Sequence, residues 1–330
     1  MREIPRRVCY NETIRPETHG RDAPVRPHQY HGKRRDQMAV LLSGAPVAQA
    51  LGQRIERDCN TLKEHGIVPT FGIVRAGARP DDLVYERGAC KRAEKLGVQV
   101  KKMLLPEDVS EEQLAAVLEQ VNADDEIHGC LLFRPLPPHL DTKKISGLLR
   151  PEKDVDAITT ASMGGLLSDT KVGFAPCTAT ACLELLHYYQ VPLQGKKIVV
   201  IGKSMTVGLP TALLMMNEEA TVSVCHILTD PEDTRQMCRN ADIIISAAGC
   251  AGLIGKEYVR PGQVVVDVGI NTDRNGKLCG DVAFDAVEPI VDAITPVPGG
   301  VGAVTSTVLI GHTVEAAMRV LEKRKRTSGQ

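Results

Sequence analysis

The segment Lys197-Ile-Val-Val-Ile201 runs directly into Gly202-Lys-Ser-Met-Thr-Val-Gly-Leu-Pro210, after which Thr211 to Asn217 has helical composition. Strand, glycine turn and helix in that order let a backbone approach a pyrophosphate closely. Glycine carries no Cβ, and a helix N-terminus presents N–H groups and a positive dipole end. A glycine turn alone also serves as an ordinary strand-to-helix connection, so it is the flanking elements that favour a dinucleotide. Only Gly202 and Gly208 are present, which departs from Gly-x-Gly-x-x-Gly. The candidate cofactor residues of this turn are Gly202, Lys203, Ser204, Val207, Gly208 and Pro210. The next apolar run, Thr221 to Cys225, continues into His226-Ile-Leu-Thr-Asp230. An acid at such a strand tip would clasp the ribose 2'-hydroxyl of NAD, and none stands there before Asp230. Lys203 offers a cation for a 2'-phosphate, although a plain surface lysine is the simpler reading of any one lysine. NADP is the expected cofactor.

The elements needed to hold this turn can be read on both sides of it. Helix-like Val47 to Gly66, apolar Thr70 to Arg75, helical Asp82 to Leu96 and the short strand Val98 to Leu105 alternate as in a parallel sheet. Glu111 to Val121 reads as a further helix. Gly129 to Phe133 reads as a buried strand stopped by Arg134-Pro-Leu-Pro-Pro138, since proline cannot continue a central ladder. The loop at that strand end is expected to face a cleft. Lys197 to Ile201, Thr221 to Cys225, Asp242 to Ala247 and Val264 to Val268 describe a second parallel sheet, and Val304 to Lys323 a closing helix. The fold class is therefore α/β with two domains.

Bulk properties agree. The chain has 330 residues, enough for two cores, and 40 Lys plus Arg against 41 Asp plus Glu leave a net charge of -1. No field favours nucleic acid or an anionic membrane. Ten cysteines lie without Cys-x-x-Cys or zinc-like spacing, which predicts reduced thiols, no metal and a cytoplasmic protein. No apolar run reaches the roughly 20 residues that span a bilayer. Residues 1–37, rich in Arg, His and Pro, read as disordered, or as preceding a true start at Met38.

Gly202 to Pro210, Asp267-Val-Gly-Ile-Asn271, Gly280-Asp-Val282 and Thr295-Pro-Val-Pro-Gly-Gly-Val-Gly302 resemble the signature segments of the bifunctional methylenetetrahydrofolate dehydrogenase/methenyltetrahydrofolate cyclohydrolase family. The resemblance runs from about Ala39 to about Leu321. It implies a tetrahydrofolate-binding substrate domain (38–158 and 303–330), an inserted Rossmann-type NADP domain (159–302), and homodimers formed through the cofactor domain. It also implies oxidation of 5,10-methylenetetrahydrofolate and hydrolysis of the methenyl product. Ile270 then joins the cofactor residues, and Pro298, Gly299 and Gly300 the substrate residues.

By the same resemblance Tyr85 positions the folate and Asp156 hydrogen-bonds its pterin. Four residues after the tyrosine, on the same helix face, the family carries a lysine that shuttles protons. Here that position is Ala89. The family's partner glutamine is Phe133, and its Gly-Phe/Ile-His after Asp156 is Ala157-Ile-Thr159. Lys91 matches a different lysine and points about 200° around the helix from position 89. The cyclohydrolase step is therefore doubtful. A silent folate- or NADP-binding paralogue and an oxidoreductase with a changed substrate remain as alternatives.

Overall fold

The computed structural model describes residues 38–274 and 276–328, so the expectation for residues 1–37 lies outside the described residues. Strand β1 (Val40–Leu41) leads into helix α1 (Gly44–Glu64). The buried residues Val47, Ala48, Leu51, Ile55, Cys59 and Leu62 form one stripe of α1 at three- to four-residue spacing. The chain continues through β2 (Thr70–Ala76), α2 (Pro80–Lys95), β3 (Gln99–Leu105), α3 (Glu111–Ala123) and β4 (Gly129–Leu132). Helix α2 opens on Pro80, whose missing N–H costs nothing in a first turn, with Asp81 and Asp82 at the positive dipole end. Ser110 and Gln113 close a capping box on α3. These strands form a parallel sheet in the order β3-β2-β4.

Three helices follow, α4 (Thr142–Ser146), α5 (Thr160–Leu167) and α6 (Cys177–Tyr188). The second half comprises β5 (Lys197–Ile201), α7 (Gly208–Asn217), β6 (Thr221–Cys225), α8 (Pro231–Asn240), β7 (Ile243–Ser246) and β8 (Val264–Asp267). The hairpin pair β9 (Asn271–Thr272) and β10 (Leu278–Cys279), α9 (Phe284–Val287), β11 (Ala293–Ile294) and α10 (Gly302–Ser328) complete it. The larger sheet is parallel, in the order β1-β11-β8-β7-β5-β6. Helix α10 returns to pack on α1, α6 and α2 and on the smaller sheet.

The larger sheet is more extensive than its sequence pattern, adding β1 and β11 to the four strands expected. The two-residue strands β1 and β11 are too short to carry a period-two signal, yet Val40 pairs with Ala293 and Leu41 with Ile294. Ala39 lies in the same buried cluster as Ile294. Strand β1 thus ties the two halves together. Among the described residues no helix is long and apolar enough to cross a membrane.

Candidate active site

At the end of β4 the Phe133 N–H still donates to Val74 O at 2.9 Å, and the prolines beyond it end the ladder. Tyr85, on α2, packs edge-on to the Phe133 ring with centroids 6.0 Å apart. Ala89, one turn further along α2, is 1% exposed and Phe133 7%, both within the main apolar core. The wall beside Tyr85 is therefore hydrocarbon. Lys91 is exposed, as its place on the helix predicts. Lys102 is engaged elsewhere, donating to Glu86 at 2.8 Å, and Glu86 also accepts from buried Arg75 at 2.9 Å.

The Asp156 loop is set by its neighbour. Asp154, fully buried, accepts from the Ile158 and Thr159 N–H groups at 2.9 Å each and from the Ser162 hydroxyl at 2.6 Å. That tight turn puts Ala157 at φ 53°, the left-handed region. A Cβ there costs about 1 kcal/mol or more. Ala157→Gly is therefore expected to raise the melting temperature slightly, by about 1 to 2 °C, once glycine's extra unfolded-state freedom is subtracted. An unchanged or lower midpoint in a thermal melt would show that the turn carries no such strain.

Burial pushes the Asp156 carboxyl up, against the pull of the neighbouring Cys177 thiol and the charge of Arg134. Burial, then the nearby Cys177 and Asp156, raise the Tyr85 phenol well above its ordinary value. It is a neutral group that positions and donates, and no base at neutral pH. The Cys177 thiol is held protonated by burial first and then by Asp156, and it donates to Val155 O at 3.3 Å. It is no nucleophile. His312 from α10, kept neutral by burial, also donates through Nδ1 to Val155 O at 2.8 Å and stacks on Phe174. Two side chains thus hold the backbone just before Asp156.

The turn after β5 is locked from both ends. Gly202 has φ 118°, and a Cβ there would overlap the Ala247 carbonyl oxygen at the end of β7. A Cβ on Gly208 would stand 2.5 Å from the Gly202 carbonyl carbon. Both glycines are therefore demanded by protein packed on their Cβ side. Ser204 turns its hydroxyl inward to accept from the Val207 and Gly208 N–H groups at 3.2 and 3.3 Å, organising the start of α7. Lys203 is left exposed. At the tip of β6, Ile227 is 96% exposed, and Asp230 is committed to capping α8 through the Glu232 and Asp233 N–H groups.

Two cavities take in part of the candidate set, Asp156 and Val207 in one and Ile270, Pro298, Gly299 and Gly300 in the other, while Tyr85, Gly202, Lys203, Ser204, Gly208 and Pro210 line neither. One of about 730 Å³ is lined by Asp156 and Cys177 from the first half, by Met205 to Val207 of the turn, and by Arg134. A second, of about 360 Å³, joins Ile270 with Pro298, Gly299 and Gly300. The Pro298 to Gly300 segment is also structural, since Gly44 at the head of α1 donates to Gly299 O at 2.7 Å and a side chain at Gly44 would collide with Gly300.

A further pair of residues was legible only as motif letters. Asp267 accepts from the Gly269, Asp281 and Val282 N–H groups at 2.9 to 3.0 Å. Asp281 accepts from Ser246, Ala248, Cys250 and Asn271. Side chains at Gly280 and Gly269 would overlap these carboxylates, which is why Asp-Val-Gly and Gly-Asp-Val occur together. Burial pushes Asp267 up to about 6 despite its three donors. Their work is to fasten the loops after β7 and β8.

A parallel sheet ending in a glycine turn that shares a cavity with the Asp156 carboxyl defines a two-domain α/β enzyme of the dinucleotide-dependent dehydrogenase class. Residues 42–156 match the family model for the tetrahydrofolate dehydrogenase/cyclohydrolase catalytic domain, and residues 176–321 match its NAD(P)-binding domain. The chain belongs to the tetrahydrofolate dehydrogenase/cyclohydrolase family. It is 50% identical to the bifunctional protein FolD of Carboxydothermus hydrogenoformans over 281 residues, 84% of this chain and 97% of that one. The bifunctional FolD of Campylobacter jejuni superposes with TM-score 0.82 at 37% identity, covering 85% and 99% of the two chains. The Trypanosoma brucei FolD, solved with NADP and an inhibitor, gives 0.80 at 35%, covering 86% and 99%.

Proposed function

We propose that this chain is an NADP-dependent methylenetetrahydrofolate dehydrogenase, oxidising 5,10-methylenetetrahydrofolate to 5,10-methenyltetrahydrofolate. The observation that carries the reading is the single cavity shared by Asp156 and the turn residues Met205 to Val207. The residues fit the cofactor. Lys203 stands exposed for a phosphate, and the carboxylate nearest the β6 tip is consumed as a helix cap. NADP, when bound, accepts the hydride lost from the folate methylene carbon. That C–H bond breaks with its electron pair leaving, so the N5–C–N10 bridge becomes cationic and no proton need be moved. Asp156 accepts from pterin N–H groups. Tyr85 packs on the ring system, and the task of both is orientation.

The test is to supply purified protein with methylenetetrahydrofolate and either nucleotide while following methenyl absorbance. Turnover is expected, with NADP preferred over NAD and the preference reduced in Lys203→Ala. Folate binding without turnover would make the chain a binding paralogue. Equal use of both nucleotides, unchanged in Lys203→Ala, would remove Lys203 from the cofactor site.

The same reading includes a homodimer through the cofactor half. Strand β6 is one of the two edges of the larger sheet, with Val224 partly exposed on it and Ile227 and Leu228 exposed just beyond. An unpaired apolar edge is a template for a second chain. Sedimentation at twice the chain mass is expected at micromolar concentration, and a monomer there would contradict it.

A further inference from the structure

The cavity that holds Asp156 contains a cation the proposed chemistry has not used. Arg134 stands two positions beyond the end of β4 and lines the same cavity as Asp156 and Cys177. Among the described residues its guanidinium makes no side-chain hydrogen bond or ion pair, and its charge is felt at Asp156. Lys143 also lines this cavity, but it is exposed, whereas Arg134 is half-buried. Ser146 contributes a second sign of a missing polar partner. The residue is 5% exposed, lines the same cavity, and its hydroxyl is buried with no hydrogen-bond partner. A cavity with one carboxyl acceptor, one donor-only guanidinium and an unsatisfied hydroxyl is complementary to a ligand that presents donors and acceptors side by side.

Resting on the folate reading above, we propose that Arg134 is a substrate-positioning residue that donates to the 4-oxo group of the pterin while Asp156 accepts from its neighbouring N–H groups. The 2-amino-4-oxo pyrimidine edge carries N–H donors beside a carbonyl, the pattern that a carboxylate next to a guanidinium matches. Arginine does not release its proton in proteins, so Arg134 orients the ring without shuttling protons. The clamp therefore serves hydride transfer and supplies no replacement for a proton-carrying lysine. With Ala89 and Phe133 forming a hydrocarbon wall beside Tyr85, the polar grip on the ring falls to Arg134 and Asp156.

The test uses the full chain in two arms. In the first, tetrahydropterin affinity of the unmodified protein is compared between the 4-oxo folate and a 2,4-diamino analogue, whose 4-amino donor would face the guanidinium. The 4-oxo form is expected to bind about 10- to 100-fold more tightly, the range for one charge-assisted hydrogen bond left unmade. In the second, Arg134→Leu is expected to raise KM for methylenetetrahydrofolate by a similar factor, with kcat changed less and NADP affinity unchanged. The variant should lose the preference for the 4-oxo form, and Arg134→Lys should restore part of it. Equal binding of the two pterins by the unmodified protein, or a preference kept in Arg134→Leu, overturns the clamp while leaving the folate reading in place. Binding of neither pterin defeats the folate reading itself. The first arm decides the matter even if Arg134→Leu fails to fold.

Discussion

Purified protein is expected to hydrolyse 5,10-methenyltetrahydrofolate at close to the buffer rate, and Ala89→Lys/Phe133→Gln to accelerate it about 100-fold, the middle of the range for general acid/base assistance. Water attack on the methenyl carbon needs a group that takes and returns protons. The residues around Tyr85 do not provide one: Ala89 and Phe133 are buried, Tyr85 is held neutral, Lys91 is exposed and Lys102 is tied to Glu86. The two changes belong together. A glutamine left facing Ala89 would bury an unsatisfied amide at about 1 to 3 kcal/mol, whereas an edge-on Phe133–Tyr85 contact is favourable. Installing lysine alone would place an uncompensated charge in the core, so the double variant is the informative one. Brisk hydrolysis by the unmodified protein would show that another cavity group carries the proton. Lys143, the lysine lining the Asp156 cavity, is the first to replace in that event.

The parts of this molecule that were legible in the sequence are those where one local rule decides. Lys197–Ile201 and Thr221–Cys225 are uninterrupted β-favouring runs beside punctuating residues, and both strands form at those bounds. The two-residue strands β1 and β11 have no period to detect, and long-range pairing alone creates them. Ser204 was expected among the cofactor residues; its hydroxyl oxygen accepts from the Val207 and Gly208 N–H groups, an arrangement within the turn that the spacing does not convey and that leaves its O–H free to donate. Asp230 was weighed only as a distant ribose ligand. The tetrapeptide Asp230-Pro-Glu-Asp233 is an N-cap signal with proline in the first turn, and the structure uses it so. Arg134 stood in plain view within a proline loop at a strand end. Its significance depends on which side chains α4, α6 and the Asp156 loop bring to the same cavity, which no spacing rule conveys. The Asp267–Asp281 pair was likewise hidden, because most of its partners are backbone N–H groups, drawn from three separate loops.

Gly208→Ala is expected to weaken NADP binding about 100-fold while leaving tetrahydrofolate binding within about twofold. The added methyl would lie 2.5 Å from the Gly202 carbonyl carbon and 3.1 Å from the Lys203 nitrogen, both backbone atoms that no rotamer change can move aside. Retreat of the turn is blocked on its far side, where Gly202 already lies against the Ala247 carbonyl. Relief therefore requires the turn to shift by roughly 1 Å, a displacement that commonly costs about 10²-fold at a site built on positioning. The shift would carry Lys203 and Met205 to Val207 with it, removing the phosphate cation and the turn's wall of the 730 Å³ cavity together. Tyr85, Asp156 and the β3-β2-β4 sheet contribute no residue to that collision, so the pterin grip survives. Overpacking of this kind also destabilises by about 1 to 3 kcal/mol, so both titrations belong well below the variant's melting midpoint. Calorimetric titration with NADP and separately with tetrahydrofolate reads the two effects. NADP affinity retained within about threefold would mean that the turn after β5 does not cradle the cofactor, whereas a parallel loss of both ligands would mean that the two halves of the site are coupled through the turn.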